Sequence, residues 1–223
     1  MTIRQIITMA HPHTGFSADS LHKLVMSGYE FDPDQDEARA SIRSLFSATG
    51  KTVPINRQQK PGGISRLAGV SRILVQADVA GDWSADSRVA GVRDLGKIDF
   101  DLSIGDEVAV RGDIELSGSQ SSSLVTDPDT GEVSRRRHGH RAVRPSQAHE
   151  FVTAKLARSG LDVDQMTVSS LIRSQRKSKT LTIARIEAVG TVADDSKFSE
   201  ALRSGLGRGR AFGAGLLRHA LIG

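Results

Sequence analysis

With no cysteine in the chain, thiolate nucleophiles, thiolate zinc sites and disulfides are excluded, and proton-transfer chemistry falls to the seven histidines. Imidazole titrates near neutrality, so a single one can accept or donate a proton during strand cleavage of RNA. RNA needs no metal-bound water for that reaction, since its own 2′-hydroxyl can attack the adjacent phosphorus. His22 is the leading candidate, because it falls beside the apolar face of a helical pattern where solvent can reach it. A helix-boundary histidine of no chemical consequence is the competing reading. The pairs His11/His13 and His138/His140 have the look of short metal motifs, yet neither has a third and fourth ligand in view. The arginines around His138 and His140 also oppose a cation, so no metal and no cofactor is expected.

The second chemical feature is the segment GLGRGRAFGAG, residues 205–215, with glycine at 205, 207, 209, 213 and 215. Glycine lets a backbone turn through positive φ and come close to a ligand, so that successive N–H groups can converge on an anion. Gly207 and Gly209 with Arg208 and Arg210 make this a candidate phosphate-gripping surface. No Gly-Lys-Ser/Thr follows, and the segment falls between a helix and a strand, so it is neither a nucleoside-triphosphate loop nor a dinucleotide fingerprint. A tight connection with incidental arginines, or a small-molecule phosphate site, are the other readings.

Basic groups accompany that loop. Residues 1–111 carry 13 Lys/Arg against 14 Asp/Glu, whereas residues 112–223 carry 17 against 12. The excess is rich in arginine, whose rigid fork donates two parallel hydrogen bonds to phosphate. RRRHGHRAVR holds Arg135, Arg136, Arg137, Arg141 and Arg144, and follows the serine-rich stretch as the arm of an exposed hairpin would. RSQRKSK holds Arg173, Arg176, Lys177 and Lys179 without an acid. Each run by itself reads equally as a solvated face. Together with the loop they point to a nucleic-acid backbone, bound with strong salt dependence. No strand pattern carries the paired aromatics that stack bases on a standard RNA-recognition sheet, so a structured RNA held by its backbone fits best.

These residues must be carried by elements whose periodicity is legible. Residues 3–9 and 72–79 read as strands. Leu21, Leu24, Val25 and Gly28 mark a helix capped by Ser17 or Asp19, and Ala38, Ile42, Leu45 and Phe46 repeat with helical period as well. Residues 56–63 read as a loop, residues 97–102 as an alternating strand, and residues 104–106 as a seam. The pattern restarts with a strand over residues 107–116 and a long polar loop over 117–134. A helix then spans 146–159 with Ser146 as cap, followed by strands over 167–172 and 181–192, a helix over 196–204 and a strand over 216–221. The second half is β-α-β-β-α-β in order. The expected class is α+β, two tandem ferredoxin-like (RRM-like) domains over residues 1–104 and 105–223. No apolar run approaches membrane length and MTIRQIITMAHPHTG lacks the parts of a signal peptide, so the expected address is cytoplasmic, with no membrane partner.

Four segments, in order, resemble the Cas6e (CasE) family of CRISPR-associated endoribonucleases. They are SADSLHKLVMSG, DLGKIDFDLSIGDEVAVRGDIEL, RRRHGHRAVRPSQAHEFVTAKLARSGL and the closing LRSGLGRGRAFGAGLLRHALI, the most specific of them. The resemblance implies two ferredoxin-like domains and metal-independent cutting at the 3′ base of the CRISPR repeat hairpin. The products would carry 2′,3′-cyclic phosphate and 5′-hydroxyl ends. It further implies retention of the mature crRNA and a place among the subunits of the Cascade complex, in antiviral defence. His22 matches the family's catalytic histidine, as donor to the leaving 5′-oxygen or base toward the 2′-hydroxyl. Arg208 and Arg210 fall in the glycine motif and residues 135–144 on the RNA-engaging hairpin. Asp19 stands where some members carry an assisting tyrosine, and Tyr29 cannot be assumed to replace it. A non-cleaving RNA-binding subunit of the same complex is therefore the alternative.

Overall fold

The computed structural model describes residues 2–10, 18–29, 42–49, 72–119, 123–126, 133–136, 140–176 and 179–222. Its core is two four-stranded antiparallel sheets, each with its own hydrophobic cluster.

The first sheet is built from β1 (Thr2–Met9), β2 (Leu45–Thr49), β3 (Arg72–Ala77) and β4 (Val89–Ile98), in spatial order β2-β3-β1-β4. Alternation explains the pleat: Ile73, Val75 and Ala77 on β3 and Ile7 and Met9 on β1 point to one buried face. Helix α1 (Ala18–Met26) covers that face with Leu21, Leu24 and Val25, spaced three and one apart, the stripe a 3.6-residue helix presents. Residues 78–88, between β3 and β4, run as turns without a helix. Trp83 from that connection fills the space under α1 instead, donating from Nε1 to the carbonyls of Leu24 at 2.9 Å and Val25 at 3.2 Å.

The second sheet comprises β5 (Glu107–Glu115), β10 (Leu161–Arg176), β11 (Lys179–Val192) and β12 (Leu217–Leu221), in order β10-β11-β5-β12. Helices α2 (Ala148–Arg158) and α3 (Asp195–Ser204) complete it. Val152, Leu156, Phe198 and Leu202 meet Val108, Val110, Ile114 and Ile186 in its core, which also takes Phe100 and Leu102. Asp194 caps α3 by accepting from the Lys197 amide at 2.9 Å. Both sheets thus follow the strand order of the ferredoxin-like arrangement, an antiparallel sheet with helices on it. Between β5 and α2 the short strands β6 (Ser117–Ser119) and β9 (His140–Ala142) pair with one another, as do β7 (Ser123–Thr126) and β8 (Val133–Arg136). Among the described residues no helix is long and apolar enough to cross a membrane.

Several expectations are corrected. Leu45 and Phe46 are not helical: they lie in β2, paired with Gln76 and Val75 of β3. Spacings of three and four residues fit a helix, but an open sheet edge offers this segment a backbone ladder as well as burial. The strand expected over 97–102 ends at Ile98, because the chain must leave the first sheet before Phe100 and Leu102 can pack in the second cluster. Ser146 lies in a 3₁₀ turn (Pro145–Gln147) and caps nothing; Gln147 occupies the cap position of α2 without a side-chain bond. The polar stretch 117–134 contains ribbon strands rather than loop alone, and of RSQRKSK residues 173–176 end β10 while Lys179 begins β11. Ser17, the acidic residues 30–37 and the loop 56–63 lie outside the described residues.

The sheets are tied by a buried polar contact. Gln76, on the face of β3 away from α1, donates to the carbonyls of Leu202 (2.7 Å) and Arg203 (3.2 Å) at the end of α3. Arg4 Nε donates to the Gln76 side-chain oxygen at 2.9 Å, and Arg4 Nη2 to the Leu217 carbonyl at 3.0 Å. Burial, with Arg218 nearby, brings the Arg4 guanidinium down to about 10. Helix C-terminal carbonyls have no partner within their own helix, and here the opposite sheet supplies one.

Candidate active site

His22 sits on α1 one position after the buried Leu21, so the packing of α1 on the first sheet leaves it at the helix flank. Trp83 fixes that helix from below, and Tyr29 packs edge-on against Trp83 with ring centroids 5.6 Å apart. Tyr29 is buried in that core and its phenol is pushed up by burial to about 12. Its ring belongs to the core beneath α1. The His22 ring is partly buried, with Nδ1 out of solvent contact. Its neighbour is Phe212, with ring centroids 6.1 Å apart and planes inclined by 45°.

Phe212 belongs to the glycine segment, which follows α3, forms a 3₁₀ turn (Gly209–Phe212) and enters β12. The segment closes on itself and on β5: the Leu206 amide donates to Gly215 (2.8 Å), Ala214 to Gly209 (3.1 Å) and Gly215 to Asp113 (2.5 Å). Asp113 is held in turn by a bidentate pair with Arg185, at 2.8 and 2.9 Å. The glycines also admit the first sheet. Gly205 (φ 76°) lies against Leu45, and Gly213 (φ 81°) against Phe46, where an added Cβ would stand 3.0 Å from Cε2. At both positions the left-handed backbone and the close approach require glycine. Gly207 faces the Lys155 ammonium, which burial pushes down, and Gly209 is buried against Glu115. The loop expected to grip phosphate is here the seal between the two sheets.

A cleft of about 470 Å³ opens at this junction, lined by His22, Arg43, Ser44, Glu200, Ser204 and Arg210, among others. Arg210 is exposed and is steadied by donating from Nη1 to the Ser204 carbonyl at 2.9 Å. Glu200 accepts from Ser204 Oγ and pairs with Arg203 at 3.6 Å. Histidine, two guanidiniums and hydroxyls around an open cleft suit an anionic ligand whose reaction moves protons.

The structure brings His22 and Arg210 to one cleft, and Arg208 lies exposed on the same loop. Arg135 and Arg136 fall in β8, Arg141 in β9, and the exposed Arg144 just before the 3₁₀ turn that leads into α2. Arg173, Arg176 and Lys179 fall where β10 and β11 meet, Arg176 paired with Lys179. Arg137, Lys177, His11, His13 and His138 lie outside the described residues. Among the described residues no three His, Asp or Glu side chains are grouped to hold a metal ion. Arg43, Ser44 and Glu200 were not anticipated. Arg43 and Ser44 adjoin a segment whose spacing imitates a helix, and Glu200 belongs to an ordinary amphipathic pattern.

A family profile described as CRISPR associated protein matches residues 8–220. No curated protein sequence matches the chain. Among solved structures, Cse3 of Thermus thermophilus bound to an RNA representing a pre-cleavage complex is similar at TM-score 0.67 and 16% identity, covering 98% of both chains. Cas6e of Escherichia coli K-12 is similar at TM-score 0.60 and 16% identity, over 100% of both. A chain of a CRISPR RNA-guided surveillance complex is similar at 0.55 and 16%, again over 100% of both. At such identity these likenesses are of fold. The profile spans nearly the whole chain, and the fold agrees with it: this chain belongs to the Cas6e (Cse3) family of CRISPR-associated proteins.

Proposed function

We propose that this protein is a metal-independent endoribonuclease that binds the CRISPR repeat hairpin and cuts at its 3′ base, maturing crRNA. The observation that carries this reading is the meeting of His22 with Arg210, from opposite ends of the chain, in one cleft, with Phe212 set beside the histidine ring. The 2′-oxygen attacks the adjacent phosphorus while its proton passes to a base. The bond from phosphorus to the 5′-oxygen breaks and that oxygen takes up a proton, leaving a 2′,3′-cyclic phosphate and a 5′-hydroxyl. His22 serves one of the two proton transfers. The nucleophile is part of the substrate, so no activated water is required.

In this reading residues 1–104 carry the histidine, and residues 105–223 carry the basic ribbon, the β10–β11 tip and the glycine loop that hold RNA. Binding then depends steeply on salt. The family relationship supports retention of the product within a Cascade-type assembly in the cytoplasm.

The test is incubation with repeat RNA in chelator. Cleavage to a cyclic-phosphate end is expected, lost in His22→Ala with RNA binding retained; equal cleavage by that variant overturns the mechanism. Asp19, one helical turn before His22, favours the second reading, a non-cleaving subunit. Wild-type protein that only shifts intact RNA would establish it.

A further inference from the structure

We infer that Arg43 is a catalytic residue that stabilises the charge developing on the non-bridging oxygens of the scissile phosphate. This rests on the endoribonuclease reading above and extends it to a residue that no sequence pattern indicates. As the 2′-oxygen adds to phosphorus, negative charge builds on the two non-bridging oxygens, and the favoured catalyst is a fixed cation already aimed at them.

Three observations assign this to Arg43. It lines the His22 cleft on the first-sheet side, where Arg210 lines it from the glycine loop, so guanidiniums of two different elements face one space. Its backbone is held at φ 46°, in the left-handed region; among the described residues it alone does so without being glycine. Non-glycine residues hold that conformation at a cost, and such strain persists where the surrounding structure imposes it, often at functional sites. Finally, its side chain is half exposed and, among the described residues, its ion pair is a 3.9 Å approach of Nε to Asp78, too long for a hydrogen bond. The carboxylate biases its direction without consuming the fork. The acid in the same cleft, Glu200, is already engaged by Ser204 and Arg203. Arg210 differs: its Nη1 is spent on the Ser204 carbonyl, which suits a positioning contact with phosphate.

The backbone geometry supplies an unusually clean variant. Arg43→Gly removes the side chain and relieves the left-handed strain, so the fold should be at least as stable. Single-turnover cleavage of repeat RNA should fall by about 10²–10³-fold, while Kd for the uncleavable 2′-deoxy substrate changes little. Arg43→Lys should recover part of the rate. With a phosphorothioate at the scissile position, the wild-type enzyme should penalise one diastereomer, and Arg43→Gly should lose that preference, which a merely structural role would not move. Wild-type-like cleavage by Arg43→Gly, or equal losses in cleavage and binding, overturns the assignment while leaving the role of His22 standing. Absence of cleavage by wild-type protein overturns both.

Discussion

The side chain of Gln76 reaches across from the first sheet and donates to the carbonyl of Leu202 at 2.7 Å, at the end of a helix of the second. Ser204, whose carbonyl holds Arg210, lies two residues further on. The contact that joins the sheets and the contact that places a cleft arginine therefore share one helix terminus. Gln76 is wholly buried, so the linkage is shielded from water and its loss is costly.

Gln76→Leu should destabilise the protein by about 1–3 kcal/mol, because it leaves the Leu202 and Arg203 carbonyls and Arg4 Nε without their partner. Chemical denaturation monitored by circular dichroism measures this. Cleavage should fall beyond what the unfolded fraction explains, since the α3 end whose Ser204 carbonyl holds Arg210 is loosened. Unchanged cleavage in the folded variant would separate the inter-sheet contact from the site.

Gly213→Ala places a methyl group at φ 81° against Phe46. The left-handed conformation alone costs about 1–2 kcal/mol, and the contact adds to it. Tm should drop and cleavage with it, as the 3₁₀ turn carrying Phe212 shifts away from His22. Gly91→Ala on the exposed β4, with open space around it and no positive φ, is the control and should leave both unchanged.

Trp83→Phe keeps an aromatic ring under α1 but removes the donor to the Leu24 and Val25 carbonyls. A loss of about 0.5–1.5 kcal/mol is expected, since the Leu24 carbonyl keeps Ser27 Oγ and the Val25 carbonyl keeps the Gly28 amide as donors. Since the chain has a single tryptophan, emission from Trp83 in the wild type reports directly on the packing beneath α1. It should respond to denaturant in step with loss of activity.

His219, on β12 beside Phe100, has its pKa lowered by burial and then by Arg4, and its buried Nδ1 has no hydrogen-bond partner. The folded protein binds its proton less readily than the unfolded chain does. Stability from this group is thus fully present above the ordinary histidine pKa, about 6.5, and is lost as pH falls through the folded value. His219→Phe should flatten that part of the profile, and Tm measured from pH 8 to pH 5 for both proteins shows it. A parallel decline in the two would refute the coupling.

Strong local periodicity made much of the frame legible. Leu21, Leu24 and Val25 announce α1, the β-branched run in β3 announces a strand, and the glycine spacing announces the closing turn. What was lost depended on neighbours distant in sequence. Leu45 and Phe46 become a strand because β3 is beside them, and their helical spacing carries no sign of it. Trp83 fills a place where the arrangement ordinarily has a helix, a substitution visible only once α1 is docked. Arg43 is a lone arginine without motif, and its left-handed backbone is dictated by the entry into β2. The glycines were legible as a tight, close-approach segment. That Leu45 and Phe46 would approach them is a fact of the assembled sheets.

The position of Phe212 beside His22 bears on when the cleft comes into being. The two rings are separated by almost the entire chain, and the wall that Arg210 provides follows α3. During synthesis the histidine emerges first and waits on an unfinished surface. The arginine wall can be laid down only after β5, β11 and α3 are in place to receive it. The cleft is therefore among the last parts of the molecule to assemble, and a chain still being made carries the histidine without the arginine that faces it.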